Sequence, residues 1–198
     1  ESLEAIISER IKGKPLSKII NQKGFWNNIF YTDQNTLDPR ADSEILIENI
    51  LNDLSSLKKN DFFFIDLCCG TGCLGISLLE ELRFSKCDFI DTSQAALDVC
   101  QRNISKMKVQ NHSKIYKSDL FDNYPNETLL RADFIVCNPP YILSKDYLHL
   151  DKLTLYDPKL ALDGGNDGLF YYKKIVIYLK NLKFKGDVYF EVDPTVIE

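Results

Sequence analysis

From residue 61 onward the sequence alternates short apolar runs with longer amphipathic stretches, and that rhythm leaves few folds open. Runs rich in β-branched and aromatic residues occur at Phe62 to Leu67, Asp88 to Ile90, Lys114 to Lys117, Phe134 to Cys137 and Val188 to Val192. Between them, helical periodicity appears near 73–84, 93–106 and 168–181. Strands alternating with helices of this length predict βαβ units, hence an α/β fold with an open, mainly parallel sheet and helices on both faces. The strands close on Asp66, Asp91, Asp119, Asn138 and Glu191. A ligand of such a sheet lies outside the carboxyl ends of the strands, so one periodic feature predicts five polar side chains along one crevice. Acids also end strands because they fit the ladder poorly, which accounts for about half of the pattern.

Ahead of this rhythm, Leu3, Ile6, Ile7 and Ile11 predict a short amphipathic helix over 2–12 that stops near Gly13 and Pro15. The stretch from Gly24 to Leu37 reads as a hairpin or irregular ribbon in which Phe25 and Trp26 pack. Asp42-Ser43-Glu44 offers caps to a helix whose Ile47, Ile50, Leu51 and Leu54 form one stripe. With 198 residues, 44% of them hydrophobic, the chain suits one substantial core. A net charge of −5 with scattered Lys and Arg argues against a dedicated nucleic-acid surface. No apolar run approaches the ~18 residues that span a bilayer, and Glu1-Ser2-Leu3-Glu4 does not read as a signal peptide, so a soluble cytoplasmic protein without membrane contact is expected. The six cysteines fall in or beside core elements, which predicts reduced thiols. There is no Cys-x-x-Cys, and His112 and His149 lack partners at ligand spacing, so no metal site is expected.

Two stretches carry chemistry. Asp66-Leu67-Cys68-Cys69-Gly70-Thr71-Gly72 links the first strand to a helix, with glycines that let a ligand approach the backbone and a helix N-terminus behind them. It matches neither G-x-G-x-x-G nor a Walker loop, while Asp91 stands at the second strand's end, where an acid takes both hydroxyls of a ribose. Asn138-Pro139-Pro140-Tyr141 closes the fourth strand. Two prolines stiffen the loop, so the Asn138 amide, a backbone carbonyl and the Tyr141 ring can face a planar group carrying an NH₂. Read alone, the tetrapeptide fits equally a strand-ending turn in which Asn bonds its own backbone.

Together, the acid, the glycine turn, the second acid and Asn-Pro-Pro-Tyr resemble a Rossmann-like class I methyltransferase acting on amino groups. Flanking segments extend the resemblance to the release-factor glutamine methyltransferase family, the HemK or PrmC type, and two of them, the signatures around Pro39-Arg40 and Ala161-Leu162, narrow it to that family. Arg10-Ile11-Lys12-Gly13-Lys14-Pro15-Leu16 resembles the entry to its catalytic domain. Thr36-Leu37-Asp38-Pro39-Arg40-Ala41-Asp42-Ser43-Glu44 resembles its Pro-Arg signature, and the segment from Asp157-Pro158 through Ala161-Leu162-Asp163-Gly164-Gly165 to Asp167-Gly168 its Glu-Pro-x-x-Ala-Leu segment.

The resemblance implies S-adenosylmethionine as cofactor, with Asp66 and Cys68, Cys69, Gly70, Thr71 and Gly72 at its methionine part, Asp91 on its ribose, Asp119 and Leu120 at its adenine, and Asn138 shared between cofactor and substrate. It implies that Asn138 and the Pro139 carbonyl receive the N–H groups of a substrate amide, with Pro140 and Tyr141 completing the pocket. The implied substrate is the glutamine of the Gly-Gly-Gln motif in a peptide-chain release factor, with a DNA or RNA amino-methyltransferase as the alternative. Cys68 stands where most members carry glycine, and Asp157 where they carry Glu. The expected division is a helix, hairpin and linker segment over 1–40 and the methyltransferase domain over 41–198. The chain is expected to be a catalytic-domain fragment, cut short at its C-terminal end and without most of the family's helical N-terminal domain.

Overall fold

The computed structural model of the chain describes residues 2–192. Two short helices open it, α1 (Leu3–Ile11) and α2 (Leu16–Ile20), followed by a hairpin of β1 (Gln22–Phe25) and β2 (Asn28–Tyr31). Helix α3 (Glu44–Ser55) leads into the alternating part: β3 (Phe63–Leu67), α4 (Cys73–Glu81), β4 (Lys86–Asp91), α5 (Gln94–Lys106), β5 (Ser113–Lys117), α6 (Asn126–Leu129), β6 (Phe134–Cys137), α7 (Phe170–Leu182) and β7 (Asp187–Phe190).

The five later strands form one parallel sheet in the order β5-β4-β3-β6-β7. The chain steps outward from β3 through β4 to β5, then returns to the other side of β3 for β6 and β7. The strand order therefore reverses between β3 and β6, where a doubly wound sheet opens a crevice.

Alternation along the strands sorts the core into two layers. Phe64 of β3, Phe89 of β4 and Phe134 and Val136 of β6 face α3, α4 and α5, joined by Phe25 and Phe30 of the hairpin. Ile65 and Leu67, Ile90, and Ile135 and Cys137 face the opposite way, against Leu129 of α6 and Ile175 and Leu179 of α7. Burial of both sheet faces is why these strands read as continuous apolar runs rather than alternating ones.

Several boundaries differ from the sequence expectation. β4 begins at Lys86, two residues before the expected Asp88, because the parallel ladder with β3 extends through the pairs Phe64 with Cys87 and Phe63 with Lys86. β7 ends at Phe190, so Glu191 follows the strand, and residues 193–198 of the expected catalytic domain lie outside the described residues. Helix α1 forms, but it contributes no buried residue: Leu3 and Ile11 remain 70% and 81% exposed. Among the described residues no helix is long and apolar enough to cross a membrane, and all six cysteines are free thiols.

Candidate active site

The loop after β3 is a chain of left-handed residues: Cys68 at φ +59°, Gly70 at +53° and Gly72 at +75°. Gly72 is the N-cap of α4, so the turn delivers the chain into the helix with its first N–H groups toward the carboxyl ends of the strands. Asp66 fixes this arrangement from beneath. Its Oδ2 accepts a 2.9 Å hydrogen bond from the Gly75 N–H, and the side chain is buried. A Cβ on Gly75 would lie 2.5 Å from the Phe89 ring and 2.9 Å from Asp66 Oδ2, so only glycine lets α4 sit this close to the sheet. Burial pushes the Asp66 carboxyl well above the usual carboxylate range; the Gly75 bond opposes this and the neighbouring Asp91 charge adds to it.

The positive φ at Cys68 gives a physical reason for the glycine expected there. An L-residue in this region costs ~1–2 kcal/mol, against which glycine's extra freedom in the unfolded chain costs ~0.5–1 kcal/mol. Cys68→Gly is therefore expected to leave the melting temperature equal or slightly raised, and Cys68→Val to lower it. A scanning-calorimetry ranking with valine above glycine would contradict the strain.

Asp91 closes β4 and joins two turns. Its Oδ2 accepts from the Gly70 N–H and its Oδ1 from the Ser93 N–H, both at 2.9 Å, and Ser93 in turn caps α5 by accepting from the Ala96 N–H. Burial raises its carboxyl above the ordinary range, and the backbone N–H groups of Ser93, Gly70 and Thr92 recover part of that rise. Asp119 lies beyond the end of β5 with its carboxylate exposed, 3.9 Å from the Lys174 ammonium. Leu120 is buried beside it at φ +49°.

Asn138 follows β6. Its Nδ2 lies 3.4 Å from the Ser43 hydroxyl, which is itself 3% exposed. Ser43 was expected to cap α3, but a 3₁₀ turn over Ala41–Ser43 already runs into that helix and the hydroxyl makes no cap. It turns inward toward Asn138 instead. The Tyr141 backbone is latched from outside: Ile142 N–H donates to the Leu162 carbonyl at 2.9 Å and Gly164 N–H to the Ile142 carbonyl at 2.7 Å. A Cβ on Gly164 would lie 2.6 Å from Tyr141 Cα, so this contact also requires glycine.

One cavity opens where the strand order reverses. Asp66, Cys68, Cys69, Gly70, Thr71, Asp91, Asp119, Leu120, Asn138 and Pro140 all line it. Gly72, Pro139 and Tyr141 do not; Gly72 is turned toward Cys100 and the Phe89 ring. Tyr141 borders an adjoining depression together with Glu191, so the expected row of strand-end side chains divides between two hollows. Leu37, Arg40 and Ala161 border both.

Among the bordering residues to which sequence reasoning gave no site role are Arg40, Ser43 and Tyr171. Arg40 is held by a 2.6 Å ion pair with Asp157, which ties the two flanking signatures to each other. Ser43 was hidden by its plausibility as a cap. Tyr171 lines the cavity from α7, and no signal around it distinguishes it from Phe170 or Tyr172.

The methyltransferase small domain family matches residues 33–152. A release factor glutamine methyltransferase of Leptospira interrogans is 36% identical over 97% of this chain and 67% of its own length. One of Mycoplasma mycoides is 35% identical over 85% of this chain and 57% of its own length. A ribosomal protein uL3 glutamine methyltransferase of Francisella tularensis is 34% identical over 83% of this chain and 51% of its own length. The chain thus spans about half to two thirds of the length of these curated relatives. Among solved structures, the hMettl16 catalytic domain superposes with a TM-score of 0.60 over 92% of this chain and 74% of that one at 11% identity, a likeness of fold alone. The cavity at the strand reversal, the family match around it and these relatives agree: the chain has the Rossmann-like class I methyltransferase fold and belongs to the release factor glutamine methyltransferase family.

Proposed function

We propose that the chain binds S-adenosylmethionine in the cavity between β3, β4 and β6 and methylates the side-chain amide nitrogen of a glutamine, that of the Gly-Gly-Gln loop of a peptide-chain release factor. The observation that carries this reading is the position of Asn138 and Pro140 on a cavity that also contains the glycine turn and Asp91.

The residues present fit such a cofactor. A Cβ on Gly70 would meet no atom within 4 Å, so the backbone there faces open space. Each Asp91 oxygen spends one lone pair on a backbone N–H and retains another for a ribose hydroxyl. Ile90, Ala96 and Leu120 supply apolar walls for a flat base beside Asp119. When bound, S-adenosylmethionine supplies a methyl carbon activated by its sulfonium leaving group.

An amide nitrogen is a poor nucleophile because its lone pair is delocalised, so the chain's contribution is placement. Asn138 Oδ1 and the Pro139 carbonyl accept the two amide N–H groups, which aims the nitrogen at the methyl carbon and meets the positive charge growing on it. Pro140 walls the cavity, and Tyr141 shapes the way in from the adjoining depression. Asp66 acts indirectly, by pegging the first turn of α4.

Asp91→Ala should weaken cofactor binding by ~1.5–3 kcal/mol for each charge-assisted hydrogen bond lost. Affinity of the parent should also fall on acidification. Because the folded-state carboxyl titrates above the ordinary aspartate range, protonation begins to remove an acceptor at a higher pH than for an exposed acid. Unchanged affinity by calorimetry in the alanine variant would remove Asp91 from the site.

The substrate is tested by incubating the protein and isotopically labelled cofactor with a release factor, with ribosomal protein uL3 and with mixed-sequence DNA. Label on the Gly-Gly-Gln glutamine, located by mass spectrometry, is the expected result. Label on DNA with none on either protein would overturn the reading. The acidic balance of the chain, net charge −5, favours the protein substrates.

A further inference from the structure

The depression beside the cavity holds a carboxyl group that the transfer chemistry above does not use. Glu191 directly follows β7, where its N–H donates to the Cys137 carbonyl at 3.0 Å and its own carbonyl accepts the Tyr172 hydroxyl at 2.7 Å. Since Cys137 pairs with Phe190 across the parallel ladder, the next residues on the two strands, Asn138 and Glu191, are neighbours at the sheet's carboxyl end. Glu191 Oε2 is buried and meets no hydrogen-bond donor among the described residues. The Ser43 hydroxyl and the Asn138 amide lie beside the carboxyl group. The charged groups facing it are Arg40 and Asp42, from the segment before α3, and the Cys73 thiol approaches from α4.

An asparagine amide has two ends of nearly equal size, so packing does not choose which one points where; hydrogen-bond partners do. An ionised carboxylate accepts and never donates. Placed beside Asn138, it attracts Nδ2 and repels Oδ1. The Ser43 hydroxyl, 3.4 Å from Nδ2, lies with Glu191 on that same side. With both acceptors behind it, the amide turns its oxygen to the cavity.

Resting on the methyl-transfer reading, we propose that Glu191 is a positioning residue that sets the orientation of the Asn138 amide, so that Oδ1 rather than Nδ2 meets the nitrogen to be methylated. It thereby selects NH₂-bearing acceptors, because the flipped amide would present its own N–H groups to them. Protonation undoes the selection: a neutral Glu191 can donate to Oδ1 and hold the amide the wrong way round. Burial pushes this carboxyl up; Ser43 and Asn138 pull it down, Asp42 adds to the rise and Arg40 opposes it, and the net shift is upward. Activity therefore fails on the acid side, at a pH above the ordinary glutamate range.

The test is Glu191→Gln, which keeps size and shape but can turn either end of its own amide toward Asn138. Expected are unchanged cofactor affinity, kcat lower by about 10–100-fold, the cost of a misoriented partner, and loss of the acid limb of kcat measured at saturating cofactor, where the effect of Asp91 on affinity does not enter. An unchanged rate with the same acid limb would overturn the proposal. A second measurement needs no substrate. The side-chain ¹⁵N–¹H resonances of Asn138 should titrate with Glu191 in the parent and be pH-independent in the glutamine variant. Resonances that ignore pH in the parent would also overturn it. If the parent methylates neither protein while those resonances titrate, the substrate assignment fails and the orienting role of Glu191 stands.

Discussion

Asn138→Ala is expected to reduce methyl transfer by ~10²–10³, the scale of losing one preorganised electrostatic partner of the reacting group. Cofactor affinity should change far less, since the acid and the glycine turn proposed to hold the cofactor are contributed by β3, β4 and the loops after them. The split matters more than the size of the loss, because a merely structural Asn138 would disturb both quantities together. Single-turnover rates at saturating cofactor, set beside calorimetric affinities, separate the cases. Near-parental transfer in the variant would reduce the tetrapeptide to a turn.

The largest expected effect on stability comes from Lys18→Ala. Lys18 is 4% exposed, and its ammonium lies 2.9 Å from both Asp38 Oδ1 and Asp157 Oδ1 and 2.6 Å from the Thr36 carbonyl. Asp157 also accepts from the Asp38 N–H and pairs with Arg40. Removing the ammonium leaves two buried carboxylates facing each other, and breaking a buried ion pair from one side costs ~3–5 kcal/mol. Burial by itself pushes the Asp38 carboxyl up, but hydrogen bonds from Ser17 and Lys18, the Lys18 charge and Thr32 outweigh it and hold the group below the usual range. A depressed carboxyl stabilises the fold above its unfolded pKa of ~3.9 and loses that contribution as pH falls through the folded value. Urea unfolding at neutral pH should show the full loss, and the gap between Lys18→Ala and the parent should narrow in acid. A gap of equal size at both pH values would exclude the charge cluster as its cause.

The strand and helix rhythm made the sheet legible because both faces are buried, and buried strands leave long apolar runs. The acid and glycine turn, Asp91 and Asn138 were legible for a related reason: in this topology strand ends are site positions. What could not be read was set by contacts between distant segments. Lys18 in α2 looks like any surface lysine until Asp38 and Asp157 close around it. Ser43 satisfied a local rule for capping, and the local rule lost to the partner across the site. Glu191 stood out as a strand-end acid, yet its separation from the cavity depends on β7 lying outside β6, an order that periodicity does not contain. The exposed face of α1 shows the converse, since a helical stripe predicts the helix but not what covers it.

The latch between Ile142 and residues 162–164 brings together the two ends of the segment 143–161. Chain closure is thus secured by backbone bonds at the base of the loop and by the buried Asp157, and the stretch 145–156 between them contributes little to it. The entropy of closing a loop grows only with the logarithm of its length, about 0.6 kcal/mol per doubling. Insertions, deletions and grafted sequences between Lys145 and Tyr156, short of the buried Asp157, should therefore leave the tetrapeptide where it is. Under the proposed function, residues 145–156 are free to drift with the shape of an acceptor protein, while Asp157 and the apparatus beneath it remain fixed. A new acceptor specificity would then be sought by exchanging this loop between relatives, with the cavity left untouched.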